Sequence, residues 1–224
     1  MTETVIFILE IIGTIAFAWS GAITGIKKEM DIFGVVILGT VTSVGGGIIR
    51  DLILGKTPPN TFLNPVYALV AIAVSVITFI PFVRRQFLKH KKRNDISMMV
   101  MDSLGLGIFT AVGIGVAYEL ADYNIMLYSF VGVITGVGGG ILRDVMAGQT
   151  PYIFVKHFYA CASLIGSLLI VALIPICGIT PAMLSGAFVV IVLRILAAYY
   201  RWSLPKAQDL LKKTPSENKE EVKQ

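Results

Sequence analysis

Two short stretches decide the fold of this chain: SVGGGIIRD at residues 43–51 and GVGGGILRD at residues 136–144. Each places three consecutive glycines and an Arg–Asp pair inside a long apolar segment. Glycine is about 1 kcal/mol less favourable than alanine within a helix, and an ionisable side chain is costly within a membrane span. Because both features are unfavourable and occur twice, we infer that the two stretches contribute to a functional site.

The composition is that of an integral membrane protein. Of 224 residues, 55% are hydrophobic and 15% are charged, and the mean hydropathy is +0.79, whereas about a quarter of the residues in soluble domains are charged. The net charge of +5 comes from basic residues between and after apolar segments, which is typical of residues that set membrane orientation and not of nucleic-acid binding. The chain has no recognisable nucleophile–base arrangement or metal-ligand cluster, so we expect no enzyme activity, cofactor or metal.

The apolar segments predict an all-α protein with seven transmembrane helices, since about 20 helical residues cross a bilayer. Between the third and fourth spans lies a basic segment, and a polar tail follows the seventh. The predicted organisation is a first three-helix repeat (1–83), a basic cytoplasmic loop (84–96), a second three-helix repeat (97–175), a seventh helix (176–200) and a polar cytoplasmic tail (201–224). The predicted spans are 4–26, 32–54, 62–83, 97–119, 124–146, 152–175 and 180–200.

An internal repeat relates the two halves of the chain. GGGIIRDLILGKTPP at 45–59 matches GGGILRDVMAGQTPY at 138–152 with an offset of 93 residues. The spans before these stretches match at an offset of 92, which pairs Glu10 with Asp102. Because each unit has an odd number of spans, the second unit would enter the membrane from the opposite side, as an inverted repeat.

Basic residues predict the orientation of the chain. The loop after the third span carries Arg84, Arg85, Lys89, Lys91, Lys92 and Arg93, and the positive-inside rule places such a loop in the cytoplasm. We therefore expect a multi-pass protein of the cell (inner) membrane with its N-terminus outside and its C-terminus in the cytoplasm. Arg194 lies near the cytoplasmic end of the last span and is expected to snorkel toward the interface.

The glycine triplets have two interpretations. Gly45, Gly46 and Gly47, with Gly138, Gly139 and Gly140, weaken spans two and five and permit a kink or an unwound turn along a pathway. Alternatively, small residues let helix backbones pack closely. Matched triplets in an inverted repeat favour the kink and the pathway, because interrupted helices at matching positions are typical of permeation sites.

The charged residues are predicted to lie along this pathway. Arg50 and Asp51 fall toward one end and Arg143 and Asp144 toward the other, and the matched acids Glu10 and Asp102 precede them in spans one and four. Arg50 and Arg143 are interpreted as gates or electrostatic latches, paired with carboxylates when the path is open. They could instead be ion pairs that hold helices together, or they could bind the carboxylate of a transported amino acid.

The doubled GGGxxRD, the three-plus-three-plus-one arrangement and the GxTP turn after each copy resemble the bacterial branch of the trimeric intracellular cation (TRIC) channel superfamily. The resemblance covers about residues 4–200. It implies a homotrimer in lipid with a pore in each seven-helix protomer, glycine kinks at both triplets, and permeation by monovalent cations, K⁺ more than Na⁺. A secondary transporter of glycine or another small solute is the alternative.

Overall fold

Within the described residues of the computed structural model, every regular element is an α-helix. These residues are 2–81, 91–120, 122, 124–155, 158–200 and 202. The helices are α1 (Thr2–Lys27), α2 (Ile32–Ile53), α3 (Asn60–Leu63), α4 (Val66–Phe79), α5 (Lys91–Leu120), α6 (Ile125–Met146), α7 (Tyr152–Val155), α8 (Tyr159–Cys177) and α9 (Ile179–Tyr199).

Six of these helices, α1, α2, α5, α6, α8 and α9, are long and apolar enough to cross a membrane. The chain is therefore a multi-pass, all-helical membrane protein. The third predicted span, 62–83, corresponds to the shorter apolar helix α4, with α3 folded separately before it. Residues 82 and 83 lie outside the described residues, so the seventh span stays a prediction.

Matching polar residues begin and end α2 and α6. Asp31 caps α2 by accepting a hydrogen bond from the Gly34 amide at 2.7 Å, and Asn124 caps α6 by accepting one from the Leu127 amide at 3.0 Å. Such caps satisfy amide groups that have no partner within the helix. The offset of 93 residues thus matches the starts of the two helices as well as their glycine triplets.

The helices pack as two three-helix bundles that contact each other. The first bundle consists of α1, α2 and α4, and the second consists of α5, α6 and α8. The bundles meet through α2 against α6 and α1 against α5, and α9 packs outside the second bundle on α5 and α8. The contact between α2 and α6 brings the two glycine triplets to the centre of the molecule.

The structure shifts three predicted boundaries. The sixth predicted span, 152–175, is divided between the short helix α7 and helix α8, which begins only at Tyr159. Helix α5 begins at Lys91, inside the predicted loop 84–96, and residues 84–90 lie outside the described residues. The predicted turn from Pro175 to Pro181 is only Gly178, since Pro175 lies within α8 and Pro181 within the first turn of α9. Gly178 has a φ of 79°, which glycine adopts without steric cost. Apart from Trp202, the predicted tail 201–224 lies outside the described residues.

Candidate functional site: two buried arginine–carboxylate clusters

The last turn of α2 forms an ion-pair cluster with α1. Arg50 donates from Nε to Asp51 Oδ1 at 2.9 Å and from Nη1 to Glu10 Oε1 at 3.1 Å. The second oxygen of Asp51 accepts a hydrogen bond from the Asn60 amide at 2.7 Å. We call Glu10, Arg50 and Asp51 the Glu10 cluster. It joins α1, the end of α2 and the start of α3.

The last turn of α6 forms the same arrangement with α5. Arg143 donates from Nε to Asp144 Oδ1 at 2.9 Å and from Nη1 to Asp102 Oδ1 at 2.5 Å. Asp144 Oδ2 accepts a hydrogen bond from the Tyr152 amide at 2.8 Å. Arg143 Nη1 also donates to Ser20 on α1. We call Asp102, Arg143 and Asp144 the Asp102 cluster. The acids that the sequence pairs across the repeat therefore hold matching arginines.

The turn after each Arg–Asp pair explains how the aspartate reaches a second backbone segment. Gly55 and Gly148 follow the helix ends with φ values of 71° and 63°, a conformation that favours glycine. The chain then turns back, so that α3 and α7 begin beside the aspartates of α2 and α6. The GxTP turn is thus part of each cluster.

The two clusters differ in their contact with water. The side chains of Arg143 and Asp102 are 0% and 1% exposed, whereas those of Arg50 and Glu10 are 4% and 10% exposed. Buried charges are tolerated when they are paired and hydrogen-bonded. The Asp102 cluster therefore has almost no exposed surface, while Glu10 retains a small exposed surface toward a cavity.

Separate cavities adjoin the clusters. A cavity of about 370 Å³ lies at Glu10 and Arg50, with Lys56 and Glu119 in its wall. A cavity of about 310 Å³ lies at Asp102 and includes Arg194. A small pocket of about 20 Å³ has Glu10, Gly47 and Phe109 among its lining residues.

Aromatic residues pack at the centre of the helix pairs. The rings of Phe17 on α1 and Phe109 on α5 have centroids 5.3 Å apart. Phe109 lines the small pocket at Glu10, and the Phe17 ring lies beside Gly139, where an added methyl group would come within 3.1 Å of it. These two residues are also related by the offset of 92 residues. The aromatic pair therefore borders the small pocket at Glu10 through Phe109.

The middle glycine of each triplet lies at the contact of α2 with α6. A methyl group on Gly46 would overlap the Thr135 carbonyl oxygen, and one on Gly139 would overlap the Thr42 carbonyl oxygen. Thr42 and Thr135 are themselves 93 residues apart. These glycines allow the two backbones to approach more closely than any side chain would permit.

The flanking glycines have different surroundings. A methyl group on Gly45 would meet the Leu142 side chain, and one on Gly138 would lie 3.2 Å from Gly46 Cα. On Gly47 it would lie 3.7 Å from Arg50 Nη2, in ordinary contact, and on Gly140 it would lie 2.9 Å from the Tyr159 hydroxyl. The third glycine of each triplet therefore faces its arginine cluster.

Both helices are continuous through their triplets. Helix α2 runs from Ile32 to Ile53 and α6 from Ile125 to Met146 without interruption. No unwound turn is present, because close packing against the partner helix supports the glycine backbone. A bend of the helix axis stays a prediction, and the middle glycines follow the packing interpretation that the sequence disfavoured.

Sequence reasoning missed two tyrosines and misplaced one arginine. Tyr67 lines the same cavities as Glu10, and the offset of 92 residues relates it to Tyr159, which is buried in the second bundle. Arg194 does not snorkel: it is 5% exposed, and its guanidinium lies 4.6 Å from the centre of the Tyr159 ring. The repeat offset could have identified both tyrosines.

No metal centre is formed by the part of the chain that the structure describes, since it contains no group of three or more His, Cys, Asp or Glu placed to hold an ion. The carboxylates of the two clusters instead have arginine and backbone amides as partners. The chemistry available here is electrostatic: charges held in low dielectric beside cavities.

Comparison with known proteins identifies the family. A sequence model described as "Glycine transporter" matches the chain twice, at residues 7–82 and 99–175. The inner membrane protein YadS of Escherichia coli strain K12 is 36% identical over 200 residues, which cover 89% of this chain and 93% of YadS. The membrane protein YvgT of Bacillus subtilis is 35% identical over 88% of this chain and 94% of its own length.

Solved structures agree with the sequence matches. A chain from a study of conductance through TRIC cation channels has a TM-score of 0.79 and 38% identity, covering 89% of this chain and 95% of its own. A prokaryotic TRIC channel structure determined in 0.5 M KCl has a TM-score of 0.81 and 32% identity, covering 90% and 100%. The chain belongs to the bacterial branch of the TRIC superfamily.

The TRIC family assignment also explains the repeat. The family model matches two separate segments of similar length, and each segment contains one GGGxxRD stretch. A TRIC trimeric intracellular cation channel orthologue from Rhodobacter sphaeroides matches 88% of this chain and 99% of its own at a TM-score of 0.78, with 33% identity. Both bundles, and not one alone, are therefore shared with the TRIC structures.

Proposed function

We propose that the protein is a channel for monovalent cations, with a pathway through each protomer that passes the Glu10 cluster and the Asp102 cluster. The observation that carries the proposal is that each cluster holds two carboxylates and one arginine. Each therefore has an excess negative charge beside a cavity. Carboxylates that line a pathway favour cations over anions.

The relatives support the same proposal. Three structures that match most of the chain at 32–38% identity are described as TRIC channels, and one is described as conducting cations. We infer that this chain also assembles as a homotrimer in the lipid bilayer. Potassium as the main permeant ion, with sodium as a second, follows from the family resemblance.

An inverted arrangement of the two bundles belongs to this proposal. Three spans in each bundle would place the Glu10 cluster toward the exterior and the Asp102 cluster toward the cytoplasm. The seventh span would then be α9, which packs on the second bundle. A cation would meet one carboxylate-bearing cavity on each side of the central aromatic pair.

The arginine pairs are proposed to hold the path closed. Arg143 is fully buried while it is paired with Asp102 and Asp144, so an ion cannot reach these carboxylates until the pairing rearranges. This reverses the sequence-based interpretation, in which pairing accompanies the open path. The reason is burial: the paired Arg143 is withdrawn from water, so we assign the paired arrangement to the closed path and not to the water-filled open path.

Transport of glycine is the second candidate, because the matching family model is described as "Glycine transporter". The cavity at Asp102 contains both a carboxylate and Arg194, which could hold the ammonium and carboxylate groups of an amino acid. This candidate requires saturable uptake of glycine, whereas a channel conducts without saturation at low substrate concentration.

Purified protein in liposomes separates the two candidates. We expect the wild type to release trapped K⁺ down its gradient without added glycine and to accumulate no radiolabelled glycine. Gly47→Ala is the matched variant, because its methyl group fits beside Arg50 but narrows the small pocket; it should release K⁺ more slowly. Saturable glycine uptake without K⁺ release would overturn the channel proposal.

A further inference from the structure

Arg194 is a charged residue that the repeat does not duplicate. It lies on α9, which has contacts with both α5 and α8 of the second bundle. Among the described helices, none outside the first bundle packs on both α1 and α4, the matching helices of that bundle. The position of Arg194 therefore has no counterpart beside the Glu10 cluster.

The surroundings of Arg194 bring it to the second cluster. It is 5% exposed and lines the cavity of about 310 Å³ together with Asp102. Its guanidinium lies 4.6 Å from the ring centre of Tyr159, whose hydroxyl faces Gly140 next to Arg143. Arg194 thus lies one side chain away from the Asp102 cluster and within reach of its electric field.

The Asp102 cavity contains a carboxylate oxygen that its own cluster does not satisfy. Asp102 Oδ1 accepts from Arg143, whereas Asp102 Oδ2 is buried and receives no hydrogen bond from an arginine or a backbone amide; the Tyr159 hydroxyl lies next to this carboxylate. A carboxylate oxygen buried in this way is costly unless a positive charge compensates it. Arg194 is the additional described cation in the wall of this cavity.

The net charge differs between the part of the protein around the Glu10 cluster (the Glu10 end) and the part around the Asp102 cluster (the Asp102 end). The Glu10 cluster has two acids and one base, and so does the Asp102 cluster, which leaves an excess of one negative charge at each. Arg194 cancels that excess at the Asp102 end, where Asp95, the other acid in the cavity wall, is paired with Lys27 at 2.8 Å. At the Glu10 end, Lys56 in the cavity wall is opposed by Glu3 and Glu119, so the excess remains.

We propose that Arg194 is a tethered cation that occupies the electrostatic place of a permeant ion beside Asp102 and so determines the asymmetry of conduction. The inference rests on the proposed channel function. Counted over the described residues, the cavity at the Glu10 end is negative and the cavity at the Asp102 end is neutral, so a cation is attracted more strongly to the Glu10 end. Local cation concentration follows the local potential, so the current from the Glu10 end is the larger one.

Salt concentration provides a signature of this mechanism. The Debye length is about 10 Å at 0.1 M and about 3 Å at 1 M, so the difference between the two ends is large in dilute KCl and small in concentrated KCl. A steric asymmetry of the pathway would not change with salt in this way.

Single-channel recordings of wild type, Arg194→Gln and Arg194→Lys in planar bilayers test the proposal. The quantity measured is the ratio of the larger to the smaller unitary current at equal and opposite voltages in symmetric KCl, which does not depend on how the protein inserted. We expect the wild-type ratio to be about twofold or more at 0.1 M and to approach one at 1 M. Arg194→Gln should have a ratio clearly lower than that of the wild type at 0.1 M, and Arg194→Lys should keep the wild-type ratio.

A double variant guards against loss of folding. Arg194→Gln combined with Asp102→Asn removes one charge of each sign, so it should rectify like the wild type. An unchanged ratio in Arg194→Gln, or an altered ratio in Arg194→Lys equal to that of Arg194→Gln, would overturn the role of Arg194 while leaving the channel intact. Absence of any wild-type current would overturn the channel proposal itself, and with it this inference.

Discussion

Neighbouring glycines in the triplets have different roles. Gly46 lies where the backbone of α2 meets the Thr135 carbonyl of α6, while Gly47, the next residue, faces Arg50 across ordinary contact distance. Successive residues of a helix point about 100° apart, so one triplet can serve a helix contact and a cavity at once. The repeated GGG therefore provides a close helix contact at Gly46 and part of a cavity wall at Gly47, while a kink at the triplets stays a prediction.

Gly46→Ala and Gly47→Ala form a matched pair that separates these roles. We expect Gly46→Ala to lower stability by about 1–3 kcal/mol, since the methyl group must push two backbones apart. Gly47→Ala should leave stability unchanged or raise it by up to about 1 kcal/mol, because alanine is the better helix former, and should reduce unitary conductance. Thermal melts in detergent and bilayer recordings measure the two effects. Equal stability of the two variants would contradict the assignment.

The two arginines should differ in what their removal costs. Arg143→Gln leaves Asp102 and Asp144 charged in a site with almost no exposure, so we expect a loss of about 3–5 kcal/mol, as for other broken buried pairs. Arg50→Gln leaves Glu10 beside a cavity that admits water and should cost less. Thermal unfolding of both variants checks the order, and a larger loss for Arg50→Gln would refute the burial argument.

At the residue scale, the repeat alone predicts which acids and which arginines of the two clusters correspond to each other. Offsets of 92 and 93 residues match Glu10 with Asp102 and Arg50 with Arg143, and the structure joins each acid to the arginine of its own half. The amide partners of Asp51 and Asp144 could not be predicted, because they depend on how the chain turns back after α2 and α6. The burial of Arg194 depends on the packing of α9, which no repeat indicates.

At the scale of elements, the contact of α8 with α9 relies on small residues facing branched ones. A methyl group on Gly166 of α8 would overlap Val190 of α9, and one on Gly186 of α9 would overlap Ile170 of α8. This reciprocal packing holds α9, and with it Arg194, against the second bundle. The hydropathy pattern predicted that α9 spans the membrane, but it could not indicate which helices α9 contacts.

A double-variant cycle tests this packing. Gly166→Ala should destabilise the protein because its methyl group overlaps Val190, and Val190→Ala should destabilise it by leaving a cavity. In the double variant, the methyl group added at residue 166 occupies space that the smaller side chain at residue 190 leaves empty. We therefore expect the double variant to lose about 1–2 kcal/mol less stability than the sum of the two single losses. Additive losses in thermal or denaturant unfolding would show that the two residues do not meet.

At the scale of the whole molecule, the protein consists of two three-helix bundles of matching construction, with α9 packed on the second. The hydrophobic pattern predicted six of the helices, since long apolar segments in a membrane protein have few alternatives to a helix. Four of them have boundaries within about two residues of those predicted, whereas α5 begins at Lys91 instead of residue 97 and α8 begins at Tyr159 instead of residue 152. The positions of α3 and α7 as separate short helices were not predicted, because their backbone amides are held by the buried aspartates and not by a local sequence signal.

Topology fusions test the inverted arrangement. Reporters placed after Lys28, after Lys92 and after Tyr200 should all give cytoplasmic signals, since an odd number of spans in each unit inverts the second one. Fusions after Glu119 and after Gly178 serve as controls, and both should give signals from outside the cell. A signal from outside the cell after Lys92 would contradict both the orientation and the placement of the two clusters.

The most direct test of the central claim is the reversal potential of the purified protein in a planar bilayer under a tenfold KCl gradient. Carboxylate excess along the pathway predicts unitary currents that reverse close to the potassium equilibrium potential, because cations carry the current. Currents that reverse close to the chloride equilibrium potential, or a protein that shows no unitary currents while accumulating glycine, would contradict the account.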